Sequence, residues 1–398
     1  MRLLLRRLLV LLTAGMLLVL GYLNYQLYYA PPTEPANQEV VRQLRFLRAT
    51  LHNGAGQRMQ ELYPEGFVYL NALYALTWLE LLPRVPANSR LGLDARAEAR
   101  WALREIQSPA AQSIFEPDLP LPLGAFYQGW SAYVLGRYLA ALPPAERDSA
   151  DVRQLRRQCT LIATALADGN SPYPASYSGA AWPADGVMAL AALAWHDRLQ
   201  VPRYQPLIRQ WLRAVDAHLD YNGLIPHQVR VGSGAMLEAA RGSSQSQLLN
   251  FLFEIDSTYA RRHFQRYRPL FLTSRLGLPG IREAALGAPP SEDIDSGPVI
   301  WSVGGAASLV GRRTMQRFGD STTALGLRNS IEAFGLPWHA DGGKYYLLGK
   351  LPIADAFIAW GNSLNPHRPL TSSASWRTPF QLLSALLAIG LLGLLRRL

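Results

Sequence analysis

Cysteine and lysine are almost absent from this 398-residue chain. Cys159 is the single cysteine, so no disulfide can form within the chain, and its helical surroundings predict a buried, inert thiol. Lys344 and Lys350 are the only lysines among 39 basic residues. The sequence has no block of basic residues and no zinc-ligand spacing, and we therefore expect no nucleic-acid partner.

Charge is also scarce, at 17% of residues against roughly a quarter in soluble domains. Part of the deficit lies in two apolar runs, Leu8 to about Leu23 and Phe380 to Leu395. Each is slightly shorter than the ~20 residues that span a bilayer comfortably, but lies within the usual range when flanking residues are included. The sequence predicts an N-terminal transmembrane anchor at 1–28 and, after a linker at 366–378, a C-terminal transmembrane helix at 379–398.

A cleavable signal peptide is the alternative for the first run. Such a peptide needs small residues at its cleavage site, whereas YLNYQLYYAPP is aromatic and bulky, which favours an uncleaved anchor. Arginines flank both runs and place both ends in the cytoplasm. We therefore expect residence in the cell inner membrane, with most of the chain in the periplasm. Six arginines lie on the membrane flanks, which leaves 33 basic against 29 acidic residues in the interior.

The interior, predicted as one ectodomain at 29–365, contains a sixfold repeat. Each unit has a loop with proline, glycine or a small polar residue, followed by an apolar helix, and the units are spaced 53 to 61 residues apart. Six helices with one charged face, such as LDARAEARWALREI, alternate with the apolar ones. A helix that is apolar all round must be buried on every side. The alternation therefore predicts an all-α fold in which six inner helices are surrounded by six outer helices.

This arrangement and the segments WPAD, RGSSQS and DIDSGP give the chain a family resemblance. It resembles the six-hairpin clan of glycosidases and polysaccharide lyases, and also the linalool dehydratase/isomerase family. The resemblance covers roughly residues 40–365, implies an (α/α)6 toroid and matches no diagnostic catalytic signature of one family. A bundle or an open superhelix of helix pairs is the structural alternative. Six repeats, the number that closes a toroid, favour the ring.

A closed ring has one mouth at which all inner helices begin. Residues far apart in sequence would meet there, and the long loops before the helices would add aromatic and histidine side chains. The candidate catalytic residues are Asp185, Asp295 and Glu65. The candidate substrate-binding residues are Tyr127, Gln128, Tyr177, Trp182, His227, Arg241, Gln245, Trp338 and His339. Each acid is also what any helix start prefers, but helix caps do not require neighbouring tryptophans and tyrosines.

Glycosidic bond cleavage uses such a layout best. One carboxylic acid protonates the leaving oxygen, a second carboxylate activates water or attacks the sugar, and aromatic faces hold sugar rings. Asp185 and Asp295 are predicted to begin the third and fifth inner helices and to face each other across the mouth, a wide separation that suits inversion. Glu65 begins the first inner helix as a spare acid. The expected substrate is an envelope or exopolysaccharide glycan.

Three alternatives remain open. A lyase or epimerase would use His227 or a tyrosine as base, with Arg241 holding a uronate carboxylate. A dehydratase–isomerase would act on a small alcohol in a more apolar cavity. A non-catalytic module would bind glycan or protein with the same aromatic residues. RGSSQS lacks the nucleophile elbow, and DIDSGP is too short to specify a Ca²⁺ site, so neither a metal nor a cofactor is predicted.

Overall fold

The computed structural model describes residues 2–30, 34, 36–290, 296–364 and 376–397. Twelve of the helices in these ranges form six hairpins. The outer helices are α2 (Gln38–His52), α5 (Arg90–Ile106), α8 (Ser149–Asp168), α10 (Gln205–Asp216), α12 (Ser257–Phe271) and α14 (Ser321–Phe334). The inner helices are α4 (Gly66–Leu81), α7 (Gly124–Ala140), α9 (Pro183–Leu199), α11 (Gly242–Ile255), α13 (Gly305–Arg317) and α15 (Pro352–Ser363).

The remaining elements lie at the ends and in the loops. Two long helices, α1 (Arg2–Gln26) and α16 (Thr378–Arg397), flank the hairpins, and α3 (Ala55–Leu62) and α6 (Pro109–Gln112) are short connectors. The strands form four antiparallel two-stranded hairpins. These are β1 (Gln228–Val229) with β2 (Met236–Glu238), β3 (Leu272–Arg275) with β4 (Leu278–Ile281), β5 (Val299–Ile300) with β6 (Val303–Gly304), and β7 (Trp338–Ala340) with β8 (Gly343–Tyr345).

The inner helices close into a ring. Each contacts the next inner helix along the chain, and α15 contacts α4, so the first and last hairpins touch. This closure confirms the predicted (α/α)6 toroid and excludes the open superhelix. The segment HADGGKYYLLG forms the β7–β8 hairpin, with Asp341 and Gly342 at positive φ in its turn.

Burial follows the two sequence patterns. In α4 every residue is buried except Tyr69, near the start of the helix, and Glu80, near its end. In α10 the buried residues are Ile208, Trp211, Leu212 and Val215, an apolar stripe at helical spacing that packs inward while the opposite face meets water. The core therefore lies between and within the two layers of helices.

The fifth inner helix begins later than the sequence predicted. We expected it directly after Asp295, but α13 starts at Gly305, and the β5–β6 hairpin occupies the residues between. The turn of this hairpin is Trp301-Ser302, with φ of 50° and 69°. Its strands are short and rich in β-branched residues. Asp295 itself lies outside the described residues, so its place at the mouth stays a prediction.

The C-terminal ends of the inner helices meet in a buried ion network, which we call the bottom network: Glu80, Arg137, Glu254, Arg313 and Arg317. Arg313 Nη2 lies 2.7 Å from Glu80 Oε1, and Arg137 lies 3.4 Å from both acids. Burial alone would raise the pKa of Glu80, but Arg313 and Arg137 lower it to about 2. The arginines also complement the partial negative charge at the helix ends. The network therefore fills this end of the ring.

Helices α1 and α16 contact each other and are long and apolar enough to cross a membrane, over Leu3–Gln26 and Thr378–Arg397. Only their ends nearest the ring are built into the protein. There Leu27 and Phe380 pack with Leu278 of β4 and Ala333 of α14 in a second small core. The predicted linker at 366–378 lies largely outside the described residues.

Candidate active site

A cavity of about 660 Å³ occupies the end of the ring at which the inner helices begin. Residues from the first turns of the inner helices, from the loops before them and from the outer helix α14 line it. Five of the residues singled out in the sequence lie in its wall: Glu65, Tyr177, Trp182, Asp185 and His227. The toroid thus brings together side chains from the first, third and fourth hairpins.

The two acids reach the cavity from helix starts. Glu65 directly precedes α4, and its side chain makes no capping hydrogen bond to that helix. Asp185 lies in the first turn of α9, behind Pro183, and only 7% of it is exposed. Proline at the first helical position needs no N–H partner and presets the helix. This local start fixes Asp185 at the mouth.

A close contact between two inner helices holds Asp185 in place. Gly129 of α7 lies so near α9 that an added Cβ would be 3.2 Å from the Asp185 carbonyl oxygen and 3.1 Å from the Ala189 nitrogen. A glycine is therefore what allows α7 and α9 to approach each other here. The backbone of Asp185 is fixed by this packing as well as by its own helix.

Aromatic side chains form one wall of the cavity. Tyr177 and Trp182 meet edge to face with ring centroids 5.5 Å apart, and Phe126 lies 6.4 Å from Tyr177. Tyr69 continues the wall, with its centroid 5.6 Å from Phe126, and its hydroxyl donates to Gln247. Such faces suit the C–H surfaces of sugar rings or any other apolar group of similar size.

His227 lies in the wall between Ser244 and Glu238. Its Nδ1 is 3.2 Å from Ser244 Oγ, and its Nε2 is 4.0 Å from Glu238 Oε2. Arg241 also pairs with Glu238 and does not line the cavity. Instead Arg241 directly precedes α11. Glu238 therefore links the two residues proposed for uronate chemistry.

Three predicted binding residues belong to the packing around the inner helices. Tyr127 donates to the Ile106 carbonyl oxygen at 3.2 Å, and so points toward α5. Gln128 donates to the Pro122 carbonyl oxygen at 2.8 Å, and Gln245 donates to the Ile225 carbonyl oxygen at 2.7 Å. Contrary to expectation, none of the three lines the cavity. Successive helix residues are rotated by about 100°, which turns Tyr127 away from the side on which Phe126 faces the cavity.

Trp338 and His339 also lie outside the cavity wall. Both are in β7, whose partner β8 packs against α2. Trp338 is 58% exposed. Burial, Lys344 and Arg42 lower the pKa of His339. The two residues thus belong to the outer surface of the sixth hairpin.

Two buried acids near the mouth were not among the candidate catalytic residues. Glu283, two residues after the end of β4, is fully buried and accepts a hydrogen bond from Ser243, a residue of the cavity wall. Asp355, in the first turn of α15, accepts the Tyr346 backbone N–H at 2.7 Å. Burial raises the pKa of Asp355 well above its usual range. Asp355 is therefore a buried carboxyl group beside the cavity whose charged form is disfavoured by burial.

The cavity wall has two chemically different halves. The half formed by the first four hairpins, which we call the polar half, contains Glu65, Asp185, His227, Ser243, Ser244 and Gln247 together with the aromatic wall. The half formed by the last two hairpins, the apolar half, contains Ile300, Leu327, Ile331, Phe334, Leu347 and Phe357, and its polar side chains are fewer: Ser308, Ser330 and Tyr346. A ligand that fills the whole cavity must therefore combine a polar end with an apolar end.

Comparisons with known proteins find matches for this chain among solved structures. No family model matches, and no curated protein matches. Among solved structures, the unsaturated glucuronyl hydrolase of Bacillus sp. GL1, responsible for the degradation of glycosaminoglycan, is similar, with a TM-score of 0.42 and 13% sequence identity. The match covers 77% of this chain and 88% of that chain.

Proposed function

We propose that this chain is a membrane-anchored, extracytoplasmic enzyme that hydrolyses a glycosidic bond by acid–base catalysis at the mouth of the ring. The observation that carries the proposal is the presence of Asp185 and Glu65, from two different hairpins, in one cavity beside an aromatic wall. Paired carboxyl groups and stacking aromatic faces are the parts that glycoside hydrolysis uses.

In the proposed reaction, one carboxyl group protonates the leaving glycosidic oxygen as the C–O bond breaks. The other takes a proton from the water that attacks the anomeric carbon, so that the products are a sugar hemiacetal and the leaving alcohol, and no cofactor is consumed. Tyr177 and Trp182 hold the sugar ring. Asp295 is kept as a proposed third acid.

The apolar half of the cavity favours a second candidate, a dehydratase or isomerase acting on an apolar alcohol. There a carboxyl group protonates the hydroxyl, water leaves, and a second group removes a proton from the neighbouring carbon. This reaction needs the same acids but far fewer polar contacts to its substrate than a sugar does.

The membrane topology is part of the proposal. We propose that α1 and α16 both span the inner membrane, with their arginine-flanked ends in the cytoplasm and the toroid in the periplasm. A periplasm-only reporter fused near residue 370 should be active, and an active cytoplasm-only reporter at that site would overturn this topology.

The activity is tested with the full chain in detergent micelles against two substrate panels. One contains envelope polysaccharides and simple glycosides, and the other contains apolar secondary and tertiary alcohols. We expect glycoside hydrolysis that Glu65→Gln lowers and that Glu61→Gln, an exposed acid one turn away in α3, leaves unchanged. Loss of water from an alcohol would establish the second candidate. Glycan binding without any product would instead support a binding module.

A further inference from the structure

Four turns of the molecule present large apolar side chains in an unusual backbone conformation. Leu276, Trp301, Leu336 and Leu348 have φ of 53°, 50°, 50° and 57°, and they are 46%, 68%, 52% and 63% exposed. Glycine or asparagine normally occupies such left-handed positions. A bulky apolar residue is therefore unfavourable at these positions for two reasons: its backbone conformation is strained, and its side chain is exposed to water. We call these four residues the apolar rim.

The apolar rim borders the cavity. Arg275 Nε, beside Leu276, donates to the Trp301 carbonyl oxygen at 2.9 Å, so the β3–β4 and β5–β6 turns are neighbours. The Leu347 backbone N–H donates to the Gly335 carbonyl oxygen at 2.9 Å, which joins the other two turns. Three chain neighbours of rim residues, namely Ile300, Gly335 and Leu347, lie in the cavity wall, as does Phe334, two residues before Leu336. The rim is thus the outer edge of the apolar half.

The two long terminal helices leave the protein on the same side. Helix α14 is an outer helix that ends at the mouth, where Phe334 lines the cavity. The carbonyl oxygen of Leu27, at the end of α1, accepts from Asn329 in the middle of α14. One turn further along α14, Ala333 packs with Phe380 of α16, and Leu23 of α1 joins that cluster.

These contacts fix the direction of both helices. The part of α1 preceding Leu23 and the part of α16 following Phe380 extend past the mouth end of α14. A bilayer crossed by α1 and α16 must therefore lie on the mouth side of the ring and not beside the bottom network.

We propose that the apolar rim inserts into the outer surface of the bilayer and that the cavity takes its substrate from the membrane, as the sugar headgroup of a glycosylated lipid. The headgroup occupies the polar half, and the lipid chain crosses the apolar half and the rim into the bilayer. The choice of a sugar headgroup rests on the proposed function; the membrane contact does not.

The membrane contact is measured without any enzyme assay. Trp301→Cys and Leu348→Cys variants of the full chain, each labelled with an environment-sensitive fluorophore, are placed in vesicles of a neutral phospholipid. Val201→Cys is the matched control, since Val201 is 83% exposed in the loop at the opposite end of the ring. The native Cys159 is fully buried, and the unsubstituted chain reports any labelling there.

We expect blue-shifted emission at 301 and 348 that brominated phospholipids quench, and unshifted, unquenched emission at 201. Emission at 301 and 348 as aqueous as at 201 would overturn the membrane contact, whatever the enzyme's activity.

The substrate class is tested with two glycosides of the same sugar, one on a lipid in the vesicle and one on a water-soluble aglycone. Trp301→Gly removes the indole and suits the turn conformation, so it should not lower the melting temperature. It should lower turnover of the lipid glycoside on the order of tenfold, which is the effect of losing one large apolar side chain that is buried in the bilayer. Turnover of the water-soluble glycoside should not change.

Equal turnover of both glycosides, unaffected by Trp301→Gly, would overturn the lipid substrate. Turnover of neither glycoside would refute the proposed hydrolase, while the fluorescence result would still decide the membrane contact.

Discussion

The two ends of the ring are built from the same six inner helices and differ in almost every other respect. In α4, Tyr69 lies in the cavity wall at the mouth and Glu80 lies in the bottom network. The mouth holds an open cavity with few charges. At the bottom, three arginines and two acids fill the space between the helices.

This difference assigns stability to the bottom of the ring and chemistry to its mouth. Parallel helices place partial positive charge at the mouth and partial negative charge at the bottom. At the bottom, arginines complement the partial negative charge and pair with buried acids. Carboxyl groups suit the mouth, where Asp185 and Glu65 border open space. We therefore expect substitutions at the bottom to change stability and substitutions at the mouth to change activity.

The largest effect on stability is expected from Glu80→Gln. It leaves the buried Arg313 without its carboxylate partner and Arg137 with Glu254 alone, and loss of one partner of a buried ion pair costs about 3–5 kcal/mol. Thermal unfolding in detergent measures the loss, with the exposed Glu61→Gln as control. The folded fraction should keep its activity. An unchanged melting temperature would show that the bottom does not carry stability.

The loss of stability at acidic pH should also arise from the carboxyl groups of the bottom network. The pKa of Glu80 falls from an ordinary 4.5 to about 2 on folding, and the pKa of Glu254 is also lowered: burial opposes both shifts, but neighbouring arginines outweigh it. A carboxyl with a depressed folded pKa stabilises the protein above its ordinary pKa and loses that contribution as pH falls through the folded value. The melting temperature should therefore drop between pH 4.5 and about 2.

Glu80→Gln is the control for this pH dependence. The variant should lose stability less steeply over the same pH range because it lacks one of the titrating carboxyls. Parallel curves for the two proteins would assign the acid sensitivity to other groups.

A smaller effect is expected where α7 and α9 meet at the mouth. Gly129→Ala places a methyl group 3.1–3.2 Å from the α9 backbone, and such overpacking typically costs about 1–3 kcal/mol. Because the contact is with the backbone of Asp185 itself, the turnover rate should fall by more than the loss of folded protein accounts for. Gly186→Ala is the matched control, since the nearest atom lies 3.8 Å from its added Cβ. Equal behaviour of the two variants would contradict the role assigned to this contact.

The sequence predicts the ring better than the cavity wall. Helices that are apolar all round and helices with one apolar stripe differ clearly in sequence, and closure follows from their number. The β5–β6 hairpin was missed because periodicity cannot distinguish a short apolar strand from the start of a buried helix. As a result, α13 was predicted to begin at Ser296 but begins nine residues later, at Gly305.

The sequence predicts where in the ring the site lies better than it predicts which side chains face the cavity. Helix starts gather at the mouth, but whether Phe126 or Tyr127 faces the cavity depends on the rotation of α7, which packing decides. Glu283 gives no sequence signal, because it follows a short strand in the loop region between α12 and α13. The division of the cavity into a polar half and an apolar half arises only when hairpins distant in sequence meet.

The most direct test of the central claim, that the mouth performs the chemistry, compares two aspartates of the same helix. Asp185 and Asp197 lie at opposite ends of α9, and each is 7% exposed. Asp197 accepts the backbone N–H groups of Arg203 and Tyr204 at 3.0 and 2.8 Å with its two oxygens, whereas an amide has only one oxygen to accept with. We expect Asp197→Asn to lower the melting temperature and keep the turnover rate. We expect Asp185→Asn to keep the melting temperature, because the amide still suits a helix start, and to lower the turnover rate about 10²–10⁴-fold. Full activity of Asp185→Asn would contradict the account.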